Sequence, residues 1–335
     1  METALYAPER GCYAVREPKA DFYTAPELHP AFARVLDGEI AARLARVHQA
    51  RPRSRLFVVE MGSGGGTLAR QVLTALRQDH EVWFRRIRYV LVERVEPLLL
   101  DSIVRLQDTG ASLLGYSRLE DMPPVCGVFF SNELFDALPA HVLVKSGGEV
   151  RELYVRPRRK HGRGAGFKDQ AGALSDKALA DAARAVTPGL QEGGAHAVCL
   201  ESRRWLETVS RRLRAGAVLT VDYGKRFGPA DPNPPRGFVR HAHASDLLAN
   251  PGRQDLTASV DFSRLADEGE ECGLKPVLYT TLSKFLLERG ILGSLPTGET
   301  AAAWAERAKI KTLFHPEGMG EVFKVLIQEK GVNPA

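Results

Sequence analysis

The sequence predicts an α/β fold of Rossmann-like type, a mainly parallel sheet with helices on both faces. Three observations predict it. Apolar runs of strand length alternate with amphipathic stretches of helical period, a glycine-rich turn joins the first run to the first helix, and acids stand at strand ends. Leu56 to Glu60 is the first strand, a short apolar run that ends at glycines. Thr67 to Gln78 carries Leu68, Val72, Leu73 and Leu76 on one helical stripe. Tyr89 to Val92 repeats the strand pattern, and Pro97 to Leu106 is the next helix, its proline allowed in the first turn. Val125 to Phe130 is a third strand. The amphipathic segment Arg203 to Leu213 then leads into a fourth, Ala217 to Val221, and Glu321 to Gln328 is strand-like near the C-terminus.

Two stretches break the rhythm. His141 to Lys145 and Val150 to Val155 flank Gly147-Gly148 as a β-hairpin would. The region from Gly224 to Gly252, dense in Pro, Gly and His, is too long for a routine connection. The expected organisation is one enlarged domain over residues 1–335. Within it lie an N-terminal helical or lid segment (1–50), a cofactor-binding half (55–145), an insertion with a basic loop (146–195), and a second half (196–335) with a long substrate-side loop (224–260).

Apolar residues make up 44% and charged residues 26%, the profile of a globular protein with a large core. No run approaches the roughly 20 apolar residues of a membrane span, and the N-terminus has no apolar signal-peptide core. Cys12, Cys126, Cys199 and Cys272 are too scattered for a disulfide framework or a zinc site, so a reduced, cytoplasmic protein is expected. His241 and His243 lack a third ligand at useful spacing, so no metal is expected. The net charge of +5 is concentrated near Arg156 to Arg163, a stretch without an aromatic to stack a base, which argues against nucleic acid.

The chemistry is densest at Glu60-Met61-Gly62-Ser63-Gly64-Gly65-Gly66-Thr67. Glycines there let backbone pass close to a bound nucleotide and expose amides at a helix start. The dinucleotide fingerprint wants Gly or Ala where this chain has Thr67, and no Gly-Lys-Ser/Thr makes a P-loop. Glu60 would repel a pyrophosphate but attract a sulfonium and an ammonium. These features point to S-adenosylmethionine. Gly62, Ser63, Gly64, Gly66 and Thr67 are its expected cradle. Glu93, at the end of the second strand, is expected to accept the ribose hydroxyls, and Leu119 and Glu120 to flank the adenine.

Beyond the third strand comes Ser131-Asn132-Glu133-Leu134-Phe135-Asp136. Glu133 and Asp136, three apart, would share a face if they lay in one helical turn. Such a pair could orient a guanidinium or amine for attack on a methyl group and accept the proton it loses. Asn132, Glu133 and Asp136 are therefore the catalytic candidates. Asp222-Tyr223-Gly224 ends another core strand, so its acid is expected at the cleft edge.

Taken in order, several blocks resemble the MidA family of S-adenosylmethionine-dependent methyltransferases. They are Gly11-Cys12-Tyr13, Asp21 to Glu27, the Glu60 to Leu68 loop, Asn132 to Pro139, Val221 to Gly224, Pro251 to Ala258 with Asp261-Phe262, and Gly318 to Lys324. The resemblance implies a class I methyltransferase core with a mainly parallel seven-stranded sheet and an inserted smaller lobe. It implies Glu60, Gly62, Gly64 and Glu93 at the cofactor, and Asn132, Glu133 and Asp136 near the substrate. It also implies that Tyr23, Thr24 and Glu27, with Asp222, Tyr223, Asp255 and Asp261, frame the substrate side. In a mitochondrial relative the activity is arginine dimethylation on a subunit of NADH:ubiquinone oxidoreductase. The expected partner is thus a protein, with a respiratory-chain subunit as one form of it. The chain departs from the family pattern at Cys12, Gln71, Ser259 and Leu282, which keeps two other readings open: a small-molecule methyltransferase, and a silent assembly factor that retains the cofactor site.

Overall fold

The computed structural model describes residues 1–15, 24–158, 166–228, 231–239 and 242–332. Seven strands carry the core: β1 (Leu56–Met61), β2 (Ile87–Val92), β3 (Leu113–Tyr116), β4 (Val125–Asn132), β5 (Leu213–Lys225), β6 (Lys275–Thr281) and β7 (Phe323–Lys330). They lie in the order β6-β7-β5-β4-β1-β2-β3. The five strands from β5 to β3 are parallel neighbours, while β7 runs antiparallel to both β5 and β6. The chain winds outward from β1 to β3, then restarts at β4 on the other side of β1. That reversal is a topological switch point, and open α/β sheets bind ligands outside the strand ends there.

The expected strands and helices fall where the apolar periodicity puts them. The helix Thr67–Asp79 starts after Gly66, whose φ of 76° is left-handed, and buries Leu68, Val72, Leu73 and Leu76. On one face of the sheet, Val58, Leu91, Val128, Phe130, Leu219 and Ile327 pack in one core with Phe32, Leu36, Ile40 and Leu44 of the helix Ala31–Ala50. Each such side chain contributes about 1.5–3 kcal/mol on burial.

The described chain forms two units. The larger comprises Tyr23–Leu134, Trp205–Gly224 and Arg264–Ala335, and contains the seven-strand path but for the last residue of β5. The smaller comprises Met1–Phe22, Phe135–Arg204 and Lys225–Ser263. In the smaller unit the expected hairpin is present: His141–Ser146 pairs antiparallel with Glu149–Arg158 across Gly147 and Gly148, at φ 66° and 80°. Two successive left-handed residues are what a tight hairpin turn demands. Gly166–Gly172 and Ala195–Val198 complete a four-stranded sheet. The helix Ala178–Val186 covers part of it through Leu179, Ala183 and Val186 against Leu143 and Val198.

The long 224–260 region has structure of its own. Arg236–Val239 pairs with Ala242–His243 and with Asp255–Thr257. The buried Gln254 amide donates to the carbonyls of Asp246, Leu247 and Ala249, pinning the loop before the last of these strands. Gly252, at φ 82°, sits so close to Arg10 that a Cβ would lie 2.2 Å from its carbonyl oxygen, which explains a glycine there.

Candidate functional site

The glycine turn and the end of β2 are built as one piece. Gly62 and Ser63 donate their N–H groups to the carbonyl of Val92 at 2.9 and 3.2 Å, tying the turn to the neighbouring strand. Gly62, Gly64 and Gly66 all have left-handed φ, at 73°, 51° and 76°. A Cβ at Gly62 would also meet Leu134 Cδ1 at 2.9 Å, whereas one at Gly64 would meet nothing within 4 Å. The Ser102 hydroxyl donates to the Gly64 carbonyl at 2.9 Å and steadies the turn from the helix Glu96–Leu106.

Glu93 stands at the centre of this arrangement. Its Oε2 accepts the Gly64 N–H at 3.0 Å, and its Oε1 accepts the Val95 N–H at 2.9 Å. Burial pushes its pKa up, and the N–H groups of Val95 and Gly64 pull it partly back. The carboxylate keeps acceptor capacity beyond these backbone bonds, so the group can take a further donor such as a ribose hydroxyl. Ser63 is buried and its hydroxyl has no protein partner, a second polar group in the turn ready for a ligand.

Glu60 is placed differently from the expectation of an acid facing a cation. It is 3% exposed, and its Oε2 accepts the hydroxyl of Tyr89 at 2.5 Å from the next strand. Burial raises its pKa to about 8, and the charge of Glu93 pushes the same way against the Tyr89 bond. Leu119 is fully buried, and Glu120 is exposed, taking the Thr208 hydroxyl at 3.4 Å and lying 3.9 Å from Arg118. Thr67 is the first residue of its helix, where free N–H groups face the turn.

The end of β4 corrects a second expectation. Glu133 and Asp136 do not share the face of a helical turn: residues 133–138 form bends and a turn, and Glu133 has φ 52°. The cause is a contact with β5. Glu133 donates its N–H to the Val221 carbonyl at 2.9 Å, extending the strand ladder, and Leu134 then donates to Asp222 Oδ2 at 3.2 Å. Asp222 Oδ1 accepts the N–H of Tyr223 at 2.9 Å. Asp222 is thus a buried acceptor of two backbone groups, 0% exposed, instead of a cleft-edge acid. The Asn132 amide donates to Glu133 Oε1 at 2.8 Å, which orients that carboxylate. Tyr223 packs edge-on against Phe323 within the core.

The remaining substrate-side residues divide between the units. In the larger, Glu27 Oε2 accepts the Thr24 N–H at 3.3 Å as a capping box for the short helix Ala25–Leu28. Tyr23 lies outside the described residues, as do His241 and Arg159 to Arg163. In the smaller, the Tyr13 hydroxyl donates to Asp255 Oδ1 at 2.8 Å, its ring 5.3 Å from that of Tyr6, whose own hydroxyl bonds the Ala137 carbonyl at 3.1 Å. Burial and then the charges of Asp255, Tyr6 and Asp136 hold the Tyr13 pKa well above 10. The Asp136 carbonyl accepts the Ala258 N–H at 3.1 Å, and Asp261 caps the next helix through Ser263 at 3.0 Å. Tyr6 and Ser102 were not legible as site residues, because their partners lie far away in sequence. Leu282 is fully buried in the larger unit's core, so its apolar character reflects packing. Among the described residues no cluster of His, Cys, Asp and Glu could hold a metal ion. No helix among them is long and apolar enough to cross a membrane.

Comparison with known proteins bears on this geometry. A family model described as "Putative S-adenosyl-L-methionine-dependent methyltransferase" matches residues 40–280. The mouse protein named protein arginine methyltransferase NDUFAF7, mitochondrial, is 29% identical, over 96% of this chain and 78% of its own length. The human protein of that name is 29% identical over 85% of this chain and 68% of its own. A crystal structure of a Burkholderia thailandensis protein is 27% identical with a TM-score of 0.82, covering all of this chain and 87% of that one. Another from the same organism, with S-adenosyl-homocysteine bound, is 26% identical with a TM-score of 0.80 over the same shares of the two chains. The expected cytoplasmic location is overturned, because the curated relatives are named as mitochondrial proteins.

Proposed function

Because the chain belongs to the family of S-adenosyl-L-methionine-dependent methyltransferases, we propose that its methyl acceptor is a protein arginine, with Glu133 as the acid that orients the guanidinium. The observation that carries the reading is the strained, anchored bend after β4. Glu133 is held at φ 52° by the Val221 carbonyl, with its carboxylate oriented by Asn132, directly after the strand that borders β1 at the switch point. A residue kept in a left-handed conformation costs on the order of 1 kcal/mol or more and persists only when its surroundings impose it. The relatives named as protein arginine methyltransferases support the same acceptor class, and a respiratory-chain subunit is the acceptor the family resemblance suggests.

The bound cofactor supplies an electrophilic methyl group on a sulfonium. We assign its ribose hydroxyls to Glu93, its close backbone approach to Gly62 and Gly64, and a polar contact to the Ser63 hydroxyl. Open space over Gly64, the remaining acceptor capacity of Glu93 and the unpartnered Ser63 hydroxyl fit such a group. On the acceptor side, Glu133 holds the guanidinium by charge-assisted hydrogen bonds and turns one nitrogen toward the methyl group. Asp136 is the second acid to which an acceptor role is assigned.

The test is transfer of labelled methyl from S-adenosylmethionine into protein, followed by acid hydrolysis and identification of methylarginines. Label in methylarginine from the wild type, with at least a hundredfold loss in Glu133→Ala and retained cofactor binding, is the expected result. Label confined to small metabolites, or undiminished turnover in Glu133→Ala and Asp136→Ala alike, overturns the assignment.

A further inference from the structure

We propose that Tyr6 and Tyr13 are positioning residues for methyl transfer, their hydroxyls holding Asp136 in place from the N-terminal segment. That role depends on Asp136 serving the acceptor, as assigned above, and every contact behind it lies within the smaller unit. Two arms of contacts meet at Asp136. In the first, the Tyr6 hydroxyl donates to the Ala137 carbonyl at 3.1 Å. In the second, the Tyr13 hydroxyl donates to Asp255 Oδ1 at 2.8 Å. Asp255 opens the short strand Asp255–Thr257, and Ala258, the next residue, donates its N–H to the Asp136 carbonyl at 3.1 Å. The arms join where the two tyrosine rings meet, 5.3 Å apart and tilted by 44°. The contacts thus close a circuit through Tyr6, Ala137, Asp136, Ala258, Asp255 and Tyr13. The carbonyls of Asp136 and Ala137 are both fixed by it, and with them the backbone from which the Asp136 side chain projects.

A tight turn brings the two tyrosines together. Tyr6 ends the helix Glu2–Tyr6, and Tyr13 lies in the helix Cys12–Val15. Between them the Gly11 N–H returns to the Ala7 carbonyl at 2.7 Å. A Cβ on Gly11 would lie 2.5 Å from the Ala7 nitrogen, so the turn closes this far only with glycine. The same segment is held at Arg10, whose carbonyl lies against Gly252, three residues before Asp255.

Phenylalanine at either position would fill the same space, so the hydroxyls are what the circuit uses. Burial, and then the charges of Asp255, Tyr6 and Asp136, keep Tyr13 protonated, so its hydroxyl remains a donor across the neutral range. Tyr13 feels the charge of Asp136 as well as that of Asp255, which puts both carboxylates near one phenol. Asp136 is itself buried. A carboxylate that orients an acceptor nitrogen has to be held to within about 0.5 Å. A misplacement of about 1 Å costs on the order of a hundredfold in rate. Removing one hydroxyl releases one of the two arms and leaves the ring in place.

The experiment compares full-length Tyr6→Phe, Tyr13→Phe and Asp136→Ala with the wild type. Labelled S-adenosylmethionine is the donor, and a bacterial extract split into a protein and a metabolite fraction supplies the acceptors. Tyr154→Phe is the control, because its hydroxyl bonds Glu152 and the Ala173 carbonyl elsewhere in the same unit. The expected result is a maximal rate at least tenfold lower in each of Tyr6→Phe and Tyr13→Phe. KM for S-adenosylmethionine should be unchanged, thermal melting should show each variant folded at the assay temperature, and Tyr154→Phe should stay within about twofold of wild type. A rate within about twofold of wild type in either Tyr6→Phe or Tyr13→Phe, with Asp136→Ala inactive, overturns the positioning role and leaves the acceptor reading intact. Full turnover in Asp136→Ala removes the acceptor role of that acid and this proposal with it. Label in metabolites instead of methylarginine, with the same losses in Tyr6→Phe and Tyr13→Phe, rejects arginine and upholds the positioning role. A loss that lies in a raised KM for S-adenosylmethionine overturns the proposal, as does absence of transfer by the wild type to either fraction.

Discussion

Replacing Asp222 by Ala removes a carboxylate that is 0% exposed and accepts two backbone N–H groups, from Leu134 at 3.2 Å and from Tyr223 at 2.9 Å. The position is fully buried, so the Ala variant leaves both donors without the acceptor they have now. A buried donor without a partner costs about 1–3 kcal/mol, which puts the loss at roughly 2–6 kcal/mol for the pair. Total stability of a domain is about 5–15 kcal/mol, so the variant should unfold at much lower urea. Asp222→Asn retains one oxygen acceptor and presents an amide N–H to the other donor. Its loss should be about half that of the Ala variant. Equilibrium urea unfolding followed by far-UV circular dichroism reads both. The same variants should lose methyl transfer, because Leu134 and the adjacent Glu133 define the bend after β4. A stability for Asp222→Ala within about 1 kcal/mol of wild type would refute the view that this acid anchors the bend.

Other expectations follow from the same geometry. The folded Glu60 carboxyl sits at about 8 against an ordinary 4.5, so the folded state holds its proton longer than the unfolded chain does. The share of stability that depends on Glu60 is therefore full below pH 4.5 and is lost as pH rises toward 8, by on the order of 4 kcal/mol. Glu60→Gln should flatten that decline in urea titrations from pH 5 to 8. Asp37, 1% exposed with His80 Nε2 at 3.8 Å, is raised to about 7 by burial and by Asp79, and acts in the same direction over pH 4 to 7. Asp37→Asn should remove its share, and an increase in slope would contradict it. Gly62→Ala forces a Cβ to within 2.9 Å of Leu134 Cδ1 at a φ of 73°. It should weaken S-adenosylmethionine binding at least tenfold and lower the thermal midpoint. Gly64→Ala, with open space for its Cβ, should be milder in stability and comparable in binding.

Local signals in the sequence carried most of the larger unit and one hairpin of the smaller. The strand and helix periodicity, the glycine turn and the Gly147-Gly148 hairpin are short-range features, and they appear where the pattern puts them. Expectations failed where a distant partner decides. Glu133 reads as part of a helical turn because it stands three residues before Asp136. Asp222, almost ninety residues later, instead accepts the Leu134 N–H and holds a bend. Asp222 reads as a cleft-edge acid because it stands where a core strand ends and a long loop opens, yet β5 is flanked by β4 and β7, and its side chain and that of Tyr223 are covered. Glu60 reads as a cation-facing acid because the glycines follow it, but the alternation of β1 turns it inward to Tyr89. The pairing of Tyr13 with Asp255 joins residues 242 positions apart, and no local pattern marks it.

The central claim is that the glycine turn and Glu93 together bind S-adenosylmethionine, and calorimetric titration of the wild type and of Glu93→Ala tests it most directly. A hydrogen bond to a charged group contributes about 1.5–3 kcal/mol, so losing even one ribose contact should weaken binding roughly 10- to 150-fold. The Gly64 N–H freed in the variant adds to that. Saturable binding to the wild type with at least a tenfold loss in Glu93→Ala is the result predicted. Absence of binding to the wild type, or equal affinity in the variant, would contradict the site.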